Sequence, residues 1–426
     1  MVRRPGMGLI TVTLTVIAAL AAAPFGIVAN EDQVWVATWS TAPVEPNTII
    51  IGTSPSFENL TLRQIVHTSI GGPGVRVRLS TFGAGALRIG EARIALRATG
   101  SAIVPGTDRP LTFGGLSTAV IPPGAVVLTD PVALDVPPLA DLAVSIFVPG
   151  NTGPATWHFE ALQTSYVSIA GNYADSIDMP FVSTTRYPGS DGRDHDAWFW
   201  LAGVEVLAPR QAGAVAVVGD SVTDGSRSTP DTNSRWPDLL AQRLAGVAGN
   251  HHMGVLNLGI AGNRLLNDVI GPNALARYER DVLAQSGITH VITALGNNDI
   301  LFVFSPADVV SVDQIVAGQR QLIRRARARG LKIYGATLTP FGGFPFASAA
   351  KESQRQAVNH WIRTSGEYDA VIDFDAVLRD PNDPTRLRSD DEISYDSGDH
   401  LHPNDAGYQA MANAIDLALF KTNESQ

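Results

Sequence analysis

A serine at a turn, a histidine three residues beyond an aspartate, and a glycine and an asparagine in short loops are the residues here whose types can combine into chemistry. Ser221 stands in "VVGDSVTDG" (217–225), just past an apolar run and at the entry to a helix. A serine there can expose its hydroxyl beside helix N–H groups that stabilise negative charge, the environment of a nucleophile. The competing reading is a simple helix cap. The segment does not fit the elbow pattern G-x-S-x-G, because Gly219-Asp220-Ser221 is followed by Val222-Thr223. In "DHLHPNDAGY" (399–408), Asp399 and His402 are three residues apart, which predicts one side of one helical turn. A carboxylate there orients an imidazole and stabilises its charged form. His400 competes with His402, but adjacent side chains point apart, so one of the two faces Ser221. A metal site built from Asp399, His400 and His402 is the rival, and it lacks a third clustered nitrogen ligand.

Two loops can supply donors for a developing negative charge. Gly262, in "NLGIAGNR" (257–264), has no side chain and can bring a backbone N–H close to a substrate. Asn298, in "LGNND" (295–299), can aim its amide at an oxyanion. Both also fit ordinary turn chemistry, since glycine and asparagine favour turns. Asp220 and Asp299 are expected to organise these loops rather than react.

All these stretches follow candidate strands, where open α/β sheets place their sites. "AVAVV" (214–218) is a continuous apolar run, as in a strand buried on both faces. "VLNL" (255–258), "HVITAL" (290–295), "KIYGATL" (332–338) and "AVIDF" (370–374) repeat the pattern. Helical stretches alternate with them, including 313–329, 406–420, and one with Trp236, Leu239, Leu240 and Leu244 on one side. This predicts an α/β domain with a parallel sheet. Ahead of it, residues 34–207 alternate apolar and polar positions in short runs such as "VRVRLSTF" (75–82), "LRIGEARIAL" (87–96), "STAVI" (117–121) and "LAVSIFV" (142–148). Gly-Pro turns separate them, which predicts a β-sandwich or jelly roll. The expected division is a leader at 1–29, a β-rich domain at 30–208 and an α/β domain at 209–422.

The four stretches occur in one order, and together they resemble the blocks of the SGNH, or GDSL, hydrolase family: "GDSVTDG", Gly262, "GNND" and "DHLHP", over about residues 214–420. The resemblance implies a flavodoxin-like parallel sheet and ester hydrolysis through an acyl-serine intermediate. It implies Ser221 as nucleophile and His402 as base with Asp399. It places Ser221, Gly262 and Asn298 around the oxyanion, and it needs no metal or organic cofactor. "VATWSTAP" (36–43), "TLRQIVHTSIGG" (61–72) and "ALQTSY" (161–166) look like a subgroup with a β domain ahead of the hydrolase. Substrate choice varies across this family. A carbohydrate O-deacetylase is therefore the alternative within the same chemistry, and a non-catalytic polysaccharide-binding protein the alternative outside it. Trp157, Trp198, Phe199 and Trp200 can form a sugar-stacking platform, although such aromatics more often belong to a core.

Bulk properties narrow the field further. A net charge of −10 gives no basis for nucleic-acid binding. The absence of cysteine excludes disulfides, thiolate metal sites and a cysteine nucleophile. Arg3 and Arg4, an apolar stretch over 9–23 and small residues up to Ala29 read as a secretory signal peptide. The expected location is secreted, or periplasmic or cell-envelope, with no stable membrane span after cleavage. The expected partner is a small ester or acylated carbohydrate substrate.

Overall fold

The computed structural model describes residues 29–48, 51–188, 194–247, 252–303 and 305–421. The signal-peptide expectation lies outside these residues apart from Ala29. The later part of the chain is built on five parallel strands, Gly213–Gly219, Met253–Gly259, Ile288–Ala294, Lys332–Ala336 and Ala370–Ile372. Their spatial order is second, first, third, fourth, fifth, the flavodoxin-like order. Successive residues of the first strand serve opposite faces: Ala214, Ala216 and Val218 enter one apolar cluster, Val215 and Val217 another. That is why the run is apolar throughout rather than alternating.

Helices cover both faces. Trp236–Ala245 lays Trp236, Leu240 and Leu244 on one of them, beside Tyr408 and Met411 of Asp405–Ala414. Burying the Trp236 side chain, which packs edge-on against Phe374, contributes roughly 2–3 kcal/mol. Val312–Ala328 covers the other face with Ile315, Leu322 and Ile323. It opens with a capping box, in which Ser311 and Gln314 satisfy each other's backbone N–H.

The earlier part is antiparallel. One sheet orders Gln33–Ser40, Leu201–Pro209, Gly72–Ser80 and Val126–Leu128, with Val132–Val136 also on Gly72–Ser80. The other centres on Leu60–His67, Asp141–Val148 and Glu91–Leu96. Val75, Val77 and Leu79 of the first share an apolar cluster with Leu62, Val66, Leu142 and Val144 of the second, which makes a sandwich. The same cluster continues into Ala214, Ala216 and Leu256 of the parallel sheet, so the two regions share a core. The antiparallel region also covers one edge of the parallel sheet, the strand Met253–Gly259. Val255 N–H donates to Ser69 Oγ at 3.0 Å, and Gly254 lies so close to the Ala37 carbonyl that a Cβ there would collide with it.

Three elements differ from their expected form. "LRIGEARIAL" divides at Gly90, and Leu87–Ile89 pairs with Ala119–Ile121 while Glu91–Leu96 joins the six-stranded sheet. The stretch 406–420 is helical only to Ala414, and Asp416 then caps a separate turn, Leu417–Phe420. The strand of "AVIDF" stops at Ile372, because Asp373 caps the helix Phe374–Leu378.

Candidate active site

Strand Gly213–Gly219 runs into a single helical turn, Ser221–Asp224. Asp220 is its cap, accepting the Val222 N–H at 3.1 Å, so Ser221 rather than Asp220 is the first helical residue. From there Ser221 Oγ meets His402 Nε2 at 2.9 Å, and His402 Nδ1 meets Asp399 Oδ2 at 2.8 Å. A carboxylate at Nδ1 accepts a hydrogen bond from that N–H, which leaves Nε2 as the acceptor facing the serine hydroxyl.

Asp399 and His402 do not share a helical turn, contrary to their spacing. Residues 397–402 form an irregular loop in which Gly398 has φ +98° and His400 φ +65°. Asp399 Oδ1 accepts the N–H groups of Leu401 and His402 at 3.0 and 2.9 Å. One carboxylate oxygen therefore folds the loop while the other orients the ring. The helix starts only after Asn404, whose side chain caps it at Gly407. Burial alone would raise the Asp399 carboxyl, but the hydrogen bond and charge of His402 and the two backbone donors hold it well below the usual carboxylate range. Arg227 Nε adds a further contact to Asp399 Oδ2 at 2.9 Å.

His400 points elsewhere. Its Nδ1 lies 2.6 Å from Asp396 Oδ2, and its side chain is 46% exposed. The two histidines thus belong to different carboxylates. Among the described residues, no three His, Asp or Glu side chains gather into a metal-binding group.

Opposite the imidazole, the loops after the second and third strands bring Gly262 and Asn298 to the same cavity as Ser221. Gly262 has φ +78°, a conformation that favours glycine, and a Cβ there would meet the tip of the Ile270 side chain. Among the described residues, neither the Ser221 nor the Gly262 N–H has a hydrogen-bond acceptor. Asn298 donates one amide hydrogen to the Asn263 carbonyl at 2.9 Å, which fixes its rotamer and leaves its second N–H available. Three donors beside one hydroxyl can hold the oxygen of a carbonyl under attack.

Asp220 and Asp299 sit where loop organisers are expected. Asp299 accepts the N–H groups of Leu265 and Leu266 at 2.7 and 3.0 Å. Burial raises its carboxyl to about 6 and that of Asp220 to about 7.

Several supporting residues escaped the sequence reading. Asn263 lies inside "AGNR" with nothing local to mark it; its side chain donates to Ile270 and Pro272 carbonyls and accepts from Arg277. Arg277, outside every quoted stretch, is buried and reaches the carbonyls of Leu258 and Gly219, tying together the ends of the first two strands. Arg227, and Asp224 within "VTDG", likewise carry no local signal that marks their contacts. The four aromatics belong to the core: Trp157, Trp198, Phe199 and Trp200 are all buried, with Trp198 edge-on against Trp39, Phe199 and Trp200 edge-on against Phe57, and Trp157 against Phe159.

A parallel sheet of flavodoxin-like order with a Ser–His–Asp chain at its switch point defines the class of this part of the molecule. Residues 217–410 match the model of the GDSL-like lipase/acylhydrolase family, and this part of the chain is a domain of that family. Solved structures resemble it, among them the following three. Axe2, an acetylxylan esterase from Geobacillus stearothermophilus, is 21% identical, with 50% of this chain and 95% of that one covered at a TM-score of 0.37. Est24, a carbohydrate acetylesterase from Sinorhizobium meliloti, is 16% identical, with 48% and 96% covered at 0.37. LAE5, an α/β hydrolase enzyme from the metagenome of Lake Arreo, Spain, is 22% identical, with 50% and 98% covered at 0.37. No curated protein matches the chain.

Proposed function

We propose that the protein is an exported serine esterase that cleaves carboxylic esters through an acyl-serine intermediate. One observation carries this reading: the unbroken chain Ser221 Oγ, His402 Nε2, His402 Nδ1, Asp399 Oδ2, with links of 2.9 and 2.8 Å, facing a cavity that also holds Gly262 and Asn298. Neutral His402 takes the Ser221 proton as Oγ attacks the ester carbonyl. The backbone N–H groups of Ser221 and Gly262 and the Asn298 amide hold the oxyanion. His402 then gives its proton to the leaving alcohol, and water activated by the same base releases the acid.

The cavity is about 400 Å³. Val269, Ile270, Phe302, Phe344 and Leu401 give it an apolar wall, suited to an acyl group. Glu160, His195 and Arg227 give it a polar one. That polar wall supports the second reading, removal of acetyl groups from carbohydrate. Export rests on the character of residues 1–29. Among the described residues, no helix is long and apolar enough to cross a membrane.

The test is hydrolysis of p-nitrophenyl esters from acetate to decanoate, beside acetate release from acetylated xylan and pectin. Turnover should fall by several orders of magnitude in Ser221→Ala, as for triad nucleophiles generally. A preference for acetylated polysaccharide over simple esters selects the second reading. Absence of turnover on every ester, or an active Ser221→Ala variant, removes the proposal. N-terminal sequencing of the exported product tests the leader.

A further inference from the structure

A buried histidine–aspartate pair adjoins the site, and the proposed reaction does not use it directly. His158 follows Trp157 in a short strand of the antiparallel region, Trp157–His158. Its ring is buried with its Nε2 2.9 Å from Asp224 Oδ1 and its Nδ1 3.1 Å from the Ala42 carbonyl. Asp224 closes the helical turn that Ser221 opens. Its other oxygen, Oδ2, accepts the Ala261 N–H at 2.8 Å, and Ala261 is the residue before Gly262. A carbonyl can only accept, so the His158 Nδ1 carries a proton. The shared proton on the other side lies between Nε2 and a carboxylate that already receives a backbone N–H, an arrangement favouring the imidazolium–carboxylate form. Burial opposes charging His158, but Asp224, followed by the Ala42 contact, raises its pKa above the ordinary imidazole value.

We propose that His158 and Asp224 are positioning residues for the oxyanion site: the antiparallel region, through His158, clamps Asp224, and Asp224 fixes the peptide that leads into Gly262. The contact joins the turn bearing the nucleophile to the loop bearing an oxyanion donor, so it sets the distance between the Ser221 and Gly262 N–H groups. Neighbouring contacts act in the same direction. Asp231 accepts from Gln163 and Thr164 of the antiparallel region, and Arg235 donates to Ala161. These hold the loop after the nucleophile turn from outside, whereas the buried pair reaches the donor loop itself. The accessory region thereby has a chemical role that does not depend on its recognising any substrate.

The inference rests on the esterase reading. Wild-type turnover, lost in Ser221→Ala, tests that reading by itself. The pair is tested in Asp224→Ala, Asp224→Asn and His158→Leu, with kcat normalised to sites titrated by a fluorophosphonate. KM, melting temperature and inhibition by a trifluoromethyl ketone are measured on the same samples. The ketone adds to serine, and its oxyanion occupies the donors under test. Asp224→Ala frees the Ala261 peptide and should lower kcat by about 10- to 100-fold, the scale of a misplaced catalytic group, with KM changed by less than about threefold. The inhibition constant should rise in parallel. Asp224→Asn retains an acceptor for Ala261 N–H and a donor toward the neutral form of His158, so it should recover most of the lost kcat. His158→Leu removes the clamp without touching the acceptor, should lower kcat by about tenfold, and carries the test if Asp224→Ala does not fold. Wild-type kcat and inhibition in either Asp224→Ala or His158→Leu, with only a lowered melting temperature, would overturn the proposal. So would equal damage in Asp224→Asn and Asp224→Ala.

Discussion

Replacing Asp220 by asparagine probes the electrostatics directly beneath Ser221. Asp220 is only 4% exposed, and burial pushes its carboxyl up to about 7; Asp299 adds to that, while the Val222 N–H and His402 oppose it. The folded protein therefore holds this proton more tightly than the unfolded chain, whose value is near 3.8. The stability contributed by the protonated group is full below about pH 4 and is lost as pH rises through about 7. The gap between 3.8 and about 7 amounts to about 4 kcal/mol over the whole range, and about 2.5 kcal/mol of it falls between about pH 5 and about pH 8.5. Asparagine has no ionisation to suppress and caps a helix as well as aspartate does. Asp299 is present in both proteins and drops out of their difference to first order. At about 2 cal/mol/K of unfolding entropy per residue, a cooperative unit of about 400 residues converts 2.5 kcal/mol into about 3 °C. The melting temperature of Asp220→Asn minus that of the wild type should thus grow by about 3 °C between those two pH values, read by calorimetry in matched buffers. A difference that is constant with pH, or that shrinks as pH rises, would refute the assignment of a buried, protonated Asp220.

Three further outcomes follow from the geometry. His402→Ala should be nearly as inactive as Ser221→Ala, losing several orders of magnitude in kcat, whereas His400→Ala should stay within about tenfold of wild type because its ring is bound to Asp396; the reverse ranking in a p-nitrophenyl acetate assay would transfer the base to His400. Asn298→Ala should lower site-titrated kcat by roughly 100- to 1000-fold with a smaller change in KM, and Asn298→Asp should be at least as harmful because a carboxylate repels the oxyanion; a destabilised variant with unchanged kcat would reduce Asn298 to a turn residue. Residues 209–422 expressed alone should aggregate or melt without a cooperative transition, because the cut uncovers the edge strand Met253–Gly259 and divides the shared apolar cluster; a monomer with a sharp melt and wild-type kcat would show that the antiparallel region is dispensable.

The parts of this molecule legible in its sequence are those whose signal is local. "AVAVV" announces a strand buried on both faces because every residue in it has an apolar neighbour to satisfy. Ser221, Gly262 and Asn298 stand out because each follows such a strand, and the order of the strands brings their ends together. Spacing misleads where a loop mimics a helix. Asp399 and His402 meet through an irregular turn that depends on a left-handed His400, and nothing in a three-residue interval distinguishes that turn from a helix. Long-range partners are the least visible. His158 and Asp224 are 66 positions apart, and Arg277 and Gly219 are 58 apart. The split of 87–96 between two sheets depends on Gly90 fitting against the Phe147 ring, a contact supplied by a strand some fifty residues on.

What those invisible partners have in common explains how a site made of loops keeps its register. The loops at the carboxyl ends of the first two parallel strands are pinned by buried polar side chains as well as by apolar packing. Arg277 holds the Gly219 and Leu258 carbonyls, Asp224 holds Ala261 N–H, Asp299 holds Leu265 and Leu266 N–H, and the Tyr408 hydroxyl holds the Ser226 carbonyl. Apolar contacts tolerate shifts of a few tenths of an ångström at little cost, whereas a buried donor moved off its acceptor loses most of its interaction and remains desolvated. Directional anchors therefore define positions that packing alone leaves loose. They also make the site sensitive to residues that never touch a substrate. A substitution at Arg277 or Asp299 leaves a partner unpaired in the interior, so it should damage stability and turnover together. Asp224→Asn, which keeps the hydrogen bonds and removes the charge, is the substitution in this set best able to separate the two effects.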